Sequence, residues 1–143
     1  MNLFTIGANE TLAESFFGRL ADRGVRTVVD VRVSRDSAFF GFAKERDLPY
    51  YLRKLCGAGY RVEESLAPTR ELLRERERGL PWAAYEREYR SLLERRDAIA
   101  SLRRDDFEGA CLLCREAGPE ECHRRIAAEL MADAWPGTVI VHV

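Results

Sequence analysis

The sequence predicts a three-layer α/β domain: a mostly parallel sheet of four to five strands flanked by helices. Three observations carry this. Short apolar runs alternate with segments of helical periodicity along the whole chain. The β-branched run Val25–Val31 is too uniformly apolar for a half-exposed strand and suits a sheet covered on both faces, and Gly109–Cys114 reads as another buried strand. At 143 residues and 46% hydrophobic, the chain has the size of one domain, residues 1–143, with a real core.

Taken in order, residues 3–6 read as a first strand. Thr11-Leu-Ala-Glu14 has the spacing of a capping box and opens a helix with Phe16, Phe17 and Leu20 inward, which Gly24 ends as a left-handed cap. Residues 25–31 form the second strand, and 34–56 are irregular to helical. A short strand is expected near 60–62, then a charged helix over 68–78 whose alternating Glu and Arg make a solvated face. Pro81 starts a longer helix with Trp82, Tyr85, Tyr89, Leu92, Leu93, Ile99 and Leu102 at helical spacing, a stripe read as core. Residues 109–114 form a buried strand, 119–134 a helix and 138–143 a last strand. No repeat, linker or low-complexity tract interrupts this order.

Composition excludes some functions. The net charge of −1 gives no global field for nucleic acid or anionic membrane. No apolar run is long enough to span a bilayer, so no membrane partner is expected and the location is read as cytoplasmic. There the four cysteines are expected reduced, catalytic or metal-bound rather than in disulfides. Of 23 basic residues only Lys44 and Lys54 are lysines, a bias more simply ascribed to genome or growth temperature than to function.

Chemistry concentrates in Cys111-Leu-Leu-Cys-Arg-Glu116 and Cys122-His-Arg-Arg125, which hold three of the four cysteines and one of the two histidines. At about 100° per residue, His123 falls on the same helix face as Ile126, Ala127 and Leu130. With Pro119 at the first helical position, His123 looks from the helix tip towards Cys114 and Glu116 at the end of the preceding strand. The helix start favours anions and thiolates, and Arg115 and Arg124 flank it. Three readings stay open. Cys114 or Cys122 is a nucleophile or redox thiol with His123 as base and Glu116 as orienter. Alternatively Cys114, Cys122 and His123, with Glu116 or Cys111, bind zinc or iron. Or all are packing residues. Cys111, three residues from Cys114 on a strand, faces the other side of the sheet and reads as a small buried hydrophobe.

Asp30 and Arg32 close the second strand on one face, as a structural ion pair or as a base and its partner. From Arg32 to Lys54 six basic, three acidic and five aromatic residues interleave. This strip suits base stacking and a phosphate backbone, an active-site lid pivoting at Gly41, or simple packing. Strand-end geometry brings the residues from Thr5 to Asn9, Asp30 with Arg32, and Cys114 to Glu116 to one rim.

These residues carry a resemblance. Thr5-Ile-Gly7, Asp30-Val-Arg32 with Ser37, Leu66-Ala-Pro-Thr69, Leu112-Leu-Cys-Arg-Glu116 with Cys122-His-Arg124, and the closing Val141-His-Val143 resemble the family called domain of unknown function 488. The chain departs from it at Arg35, where members usually carry a proline two residues before the serine. The resemblance implies a cytoplasmic prokaryotic α/β protein with Asp30, Arg32, Cys114, Glu116, Cys122, His123 and Arg124 as signature residues, and no established reaction.

The sequence is thus read as an enzyme for a small phosphorylated or otherwise anionic substrate. Cys114, Cys122, His123, Glu116 and Asp30 supply chemistry, and Gly7, Arg32, Ser37, Arg115 and Arg124 bind the anion. The alternative is a metal-binding (Zn or Fe) or nucleic-acid-binding module built from the same cluster and the basic-aromatic strip.

Overall fold

A computed structural model describes residues 1–143. Five strands, β1 (Asn2–Gly7), β2 (Thr27–Asp30), β3 (Gly59–Val62), β4 (Ala110–Cys114) and β5 (Val139–His142), form one sheet in the order β3-β2-β4-β1-β5. Every pairing is parallel. The helices are α1 (Ala13–Asp22), α2 (Leu48–Cys56), α3 (Arg70–Glu77), α4 (Trp82–Arg95) and α5 (His123–Ala134). The expected α/β class and three layers are therefore what the chain forms.

The layering follows from strand periodicity. All five residues of the central strand β4 are buried. Alternate side chains point to opposite faces. Ala110, Leu112 and Cys114 join Tyr85, Tyr89, Leu93, Ile126 and Met131 beneath α4 and α5. Cys111 and Leu113 join Phe16, Phe17, Leu20, Leu48 and Leu52 beneath α1 and α2. Cys111 is thus the buried apolar filler expected, on the face away from Cys114.

This arrangement also locates the site. Gly7 lies opposite Cys114 and Asp30 opposite Leu113, so β1, β2 and β4 end on one rim. From there the chain after β2 leaves towards α2 on one face, and the chain after β4 towards α5 on the other. Neighbouring strands whose connections diverge leave a crevice at their carboxyl ends.

Three local expectations are corrected. Thr11 does not cap α1: Leu12 is the N-cap with no side-chain cap bond, and Thr11 Oγ1 instead accepts from Arg19 Nη2 at 3.1 Å. The stripe after Pro81 stops at Arg95, because Asp97 turns with φ 52°; Ile99 and Leu102 pack on the core from the turns beyond. The last long helix begins at His123, not Pro119, with Cys122 as N-cap. Arg124 accounts for this, since its guanidinium takes the carbonyls of Glu116 and Ala117 and holds the approach as a loop.

Arg125 and Glu129 tie α5 to α4. Arg125 bridges Glu86 at 2.6 Å and Glu129 at 2.7 Å, and Arg90 bridges the same two carboxylates. The Arg125 hydrogen bond above all holds the Glu86 carboxyl below its usual range. A depressed carboxyl pKa adds stability that is present above the unfolded value and lost as pH falls through the folded one. Glu86→Gln should therefore cost roughly 0.5–1 kcal/mol near neutrality. Urea midpoints of variant and wild type should converge as pH drops below about 4.

Candidate active site

At the ends of β2 and β4 lies a cavity of about 430 Å³, walled by Arg32, Ser34, Phe40, Trp82, Tyr85 and the Cys114–Glu116 and Glu121–His123 segments. Its floor is the thiol–imidazole cluster. The donor atoms of Cys114, Cys122 and His123 lie within 4.8 Å of one another, and all three residues are buried. Cys114 Sγ sits 3.5 Å from each ring nitrogen of His123. His123 Nε2 meets the Val31 carbonyl at 2.8 Å, and Tyr89 packs edge-on against the ring. A carbonyl only accepts, so Nε2 carries the hydrogen and Nδ1 is left as the free acceptor, 3.5 Å from Cys114 Sγ.

The two thiols are not equivalent. Burial pushes Cys114 up, but hydrogen bonds from Cys122 and the Arg115 N–H, with the charge of Arg124, outweigh it and hold Cys114 below the ordinary thiol range. Donating to Cys114, together with burial, pushes Cys122 well above it. The sequence left Cys114 and Cys122 open as the thiolate; the lowered Cys114 thiol beside the raised Cys122 thiol favours Cys114. The same burial that pushes Cys111 far up removes it from any such role.

Arg32 forms the second pole. Its Nε and Nη2 hold Asp30 at 2.9 and 2.7 Å, while its backbone N–H and the Tyr60 hydroxyl complete the carboxylate's partners at 3.1 and 2.6 Å. Asp30 is wholly buried, so it positions Arg32 and has no free edge with which to act as a base. The remaining nitrogen, Arg32 Nη1, is buried without a partner, and Phe40 lies under the guanidinium at 4.8 Å. The other arginines of the wall are occupied: Arg76 by Glu121, and Arg115 by Glu116 and Glu77.

The structure does not bring every expected residue to this point. Glu116 borders the cavity, but its carboxylate pairs with Arg115, so the Val31 carbonyl orients His123 in its place. Ser37 accepts from Phe39 N–H at 3.3 Å and caps a short turn; Ser34 lines the cavity instead. Arg124 is 1% exposed and engages Glu116 O, Ala117 O, Cys122 Sγ and Thr5 Oγ1, so it clasps the loop rather than meeting a ligand. Gly7 lies beneath that loop, where a Cβ would overlap the Glu116 carbonyl oxygen. Tyr60 and the cavity faces of Trp82 and Tyr85 were not foreseen. The last two belong to the aromatic stripe that the sequence read as core; its first turn reaches the cavity.

The basic-aromatic strip is largely dispersed. Arg32 pairs with Asp30, Arg35 with Glu45 and Glu64, and Arg46 with Asp47. Phe42 packs on Phe16 and Phe17, leaving Phe39 and Tyr50 exposed.

Fold and site together define an α/β protein with a thiol–imidazole cluster and an arginine at the strand ends. The chain belongs to the family described as Domain of unknown function DUF488, which it matches over residues 12–131. No curated protein and no solved structure matches it. No helix is long and apolar enough to cross a membrane.

Gly7→Ala should force the 115–121 loop away from β1 and cost about 1–3 kcal/mol, as overpacking does. Chemical denaturation checks this. An unchanged midpoint would mean that the loop yields freely.

Proposed function

We propose that the protein is a cytoplasmic enzyme that uses Cys114 as a nucleophile on a small anionic substrate, phosphorylated or carboxylated, held at Arg32 Nη1. One observation carries the reading: Cys114, His123 and the Val31 carbonyl form a nucleophile–base–orienter series at a cavity that Arg32, whose Nη1 is buried without a partner, also lines. His123 Nδ1 takes the Cys114 proton, while the Nε2–H to Val31 stabilises the resulting imidazolium. The thiolate attacks the electrophilic atom, and the imidazolium returns its proton to the leaving group. Arg32 holds the anion in reach. Asp30 and Tyr60 keep Arg32 aimed, and Arg124 and Gly7 keep the loop in place. Glu116 and Arg115 border the mouth.

A second reading has its own support. Cys114, Cys122 and His123 offer three donors suited to zinc or iron, and all three line the cavity. The Nε2–H to Val31 is the outer hydrogen bond a ligating histidine usually makes. Elemental mass spectrometry on untagged, anaerobically purified protein separates the two. Near-stoichiometric metal that is lost in Cys122→Ser would establish the metal centre in place of the free thiol.

Iodoacetate, an anionic alkylating agent, tests the main reading. It should modify Cys114 in preference to the other cysteines, with a rate that levels off at a lower pH than for an ordinary thiol. Cys122→Ala removes a donor and should move that midpoint upwards. Arg32→Lys keeps a partner for Asp30 but loses Nη1. One charge-assisted hydrogen bond of about 1.5–3 kcal/mol makes the expected loss about tenfold or more, relative to neutral iodoacetamide. Peptide mapping that finds Cys114 inert would sink the proposal.

A further inference from the structure

We propose that Cys114 and Cys122 act as a redox couple and that the substrate is an anion carrying an electrophilic sulfur, such as a disulfide. This rests on the assignment of Cys114 as nucleophile and goes further, because attack on a phosphoryl or acyl centre needs only one thiol. Here a second thiol lies beside the first. Both border the same cavity, one at the end of β4 and the other at the N-cap of α5. No other cysteines meet. Cys111 is on the far face of the sheet, and Cys56 donates to Phe17 O at the end of α2.

Arg124 gives the second thiol a reason to be where it is. The guanidinium is buried, and its four hydrogen bonds reach two carbonyls, the Thr5 hydroxyl and Cys122 Sγ at 3.3 Å, none of them a carboxylate. A buried cation without an anionic partner is costly, and a negative sulfur beside it relieves that cost. Arg124 therefore holds the Cys122 sulfur beside a positive charge, at the edge of the cavity that Cys114 also lines. The same residue clamps the 115–121 loop, so the two sulfurs are held near each other before any bond forms.

The chemistry balances without a further group. The Cys114 thiolate attacks one sulfur of the substrate, the S–S bond breaks, and the departing thiolate takes the proton from the His123 imidazolium. Cys114 is then joined to the remaining half. Cys122 gives its proton to His123 Nδ1, and its thiolate attacks Cys114 Sγ, forming the Cys114–Cys122 disulfide. The second half leaves as a thiolate and receives that proton. The substrate disulfide is reduced to two thiols and the protein dithiol is oxidised; a dithiol reductant returns it to the start. Arg32 Nη1 makes the cavity selective for an anionic partner.

The test uses dithiodiglycolate, a small anionic disulfide, with neutral hydroxyethyl disulfide as comparison, read by intact mass and peptide mapping after acid quench. Wild-type protein should yield the Cys114–Cys122 disulfide and two equivalents of thioglycolate. Cys122→Ser should stop at a thioglycolate adduct on Cys114. The ratio of the anionic to the neutral rate should fall about tenfold in Arg32→Lys, the effect of losing one charge-assisted contact. A wild-type protein that keeps the adduct without bridging overturns the couple. If iodoacetate still modifies Cys114 in that protein, the nucleophile survives and only the redox inference fails. Inertness of Cys114 to both disulfides and to iodoacetate overturns both. An unchanged ratio in Arg32→Lys removes the anionic substrate class.

Discussion

Arg124 is the residue on which the site most depends. Buried guanidinium groups carry a desolvation penalty of several kcal/mol, normally offset by a carboxylate. Arg124 meets none, and it distributes its donors over Glu116 O, Ala117 O, Thr5 Oγ1 and Cys122 Sγ. Those contacts join the loop after β4 to β1 and to the start of α5. Main-chain bonds from Ala8 to Cys114 O and from Asn9 to Arg115 O close the same seam. The helix accordingly starts at His123, and the histidine reaches the Val31 carbonyl at the end of β2.

The other buried arginine solves the same problem differently. Arg32 has Asp30, and Asp30 has Tyr60, whose phenol is pushed up by burial and by the hydrogen bond to Asp30, so it stays a donor. One nitrogen remains without a partner, on a residue that lines the cavity. One buried cation thus organises the protein's own loop, and the other is left able to meet something that is not part of the chain. The two thiols line the same cavity as this second cation.

How much of this was legible depends on which groups carry each feature. Strands appear as apolar runs, so the sheet, the burial of β4 and the opposed facing of Cys111 and Cys114 followed from side-chain types alone. His123 was correctly placed next to Cys114 because helical periodicity survives an error of four residues in where the helix begins. Glu116 was expected to orient His123 because a carboxylate is the visible candidate in sequence; the group that does so is a main-chain carbonyl, which every residue has. Arg124 looked like an anion ligand for a similar reason. Nothing in its neighbours announces that its guanidinium turns inward to loop carbonyls. Thr11 failed as a cap because Arg19, two turns on, competes for its hydroxyl.

The strand order has a bearing on how the protein is made. β1 and β2 are separated by β4, which enters the chain some eighty residues after β2 ends. Until Ala110–Cys114 is synthesised, two apolar strands have no shared neighbour and their facing edges are unpaired. Long-range parallel pairing of this kind is slow and exposes edges that can recruit other chains. The strand that joins β1 to β2 also delivers Cys114, so this sulfur takes its place only when the centre of the sheet forms, with β5 and α5 still to follow.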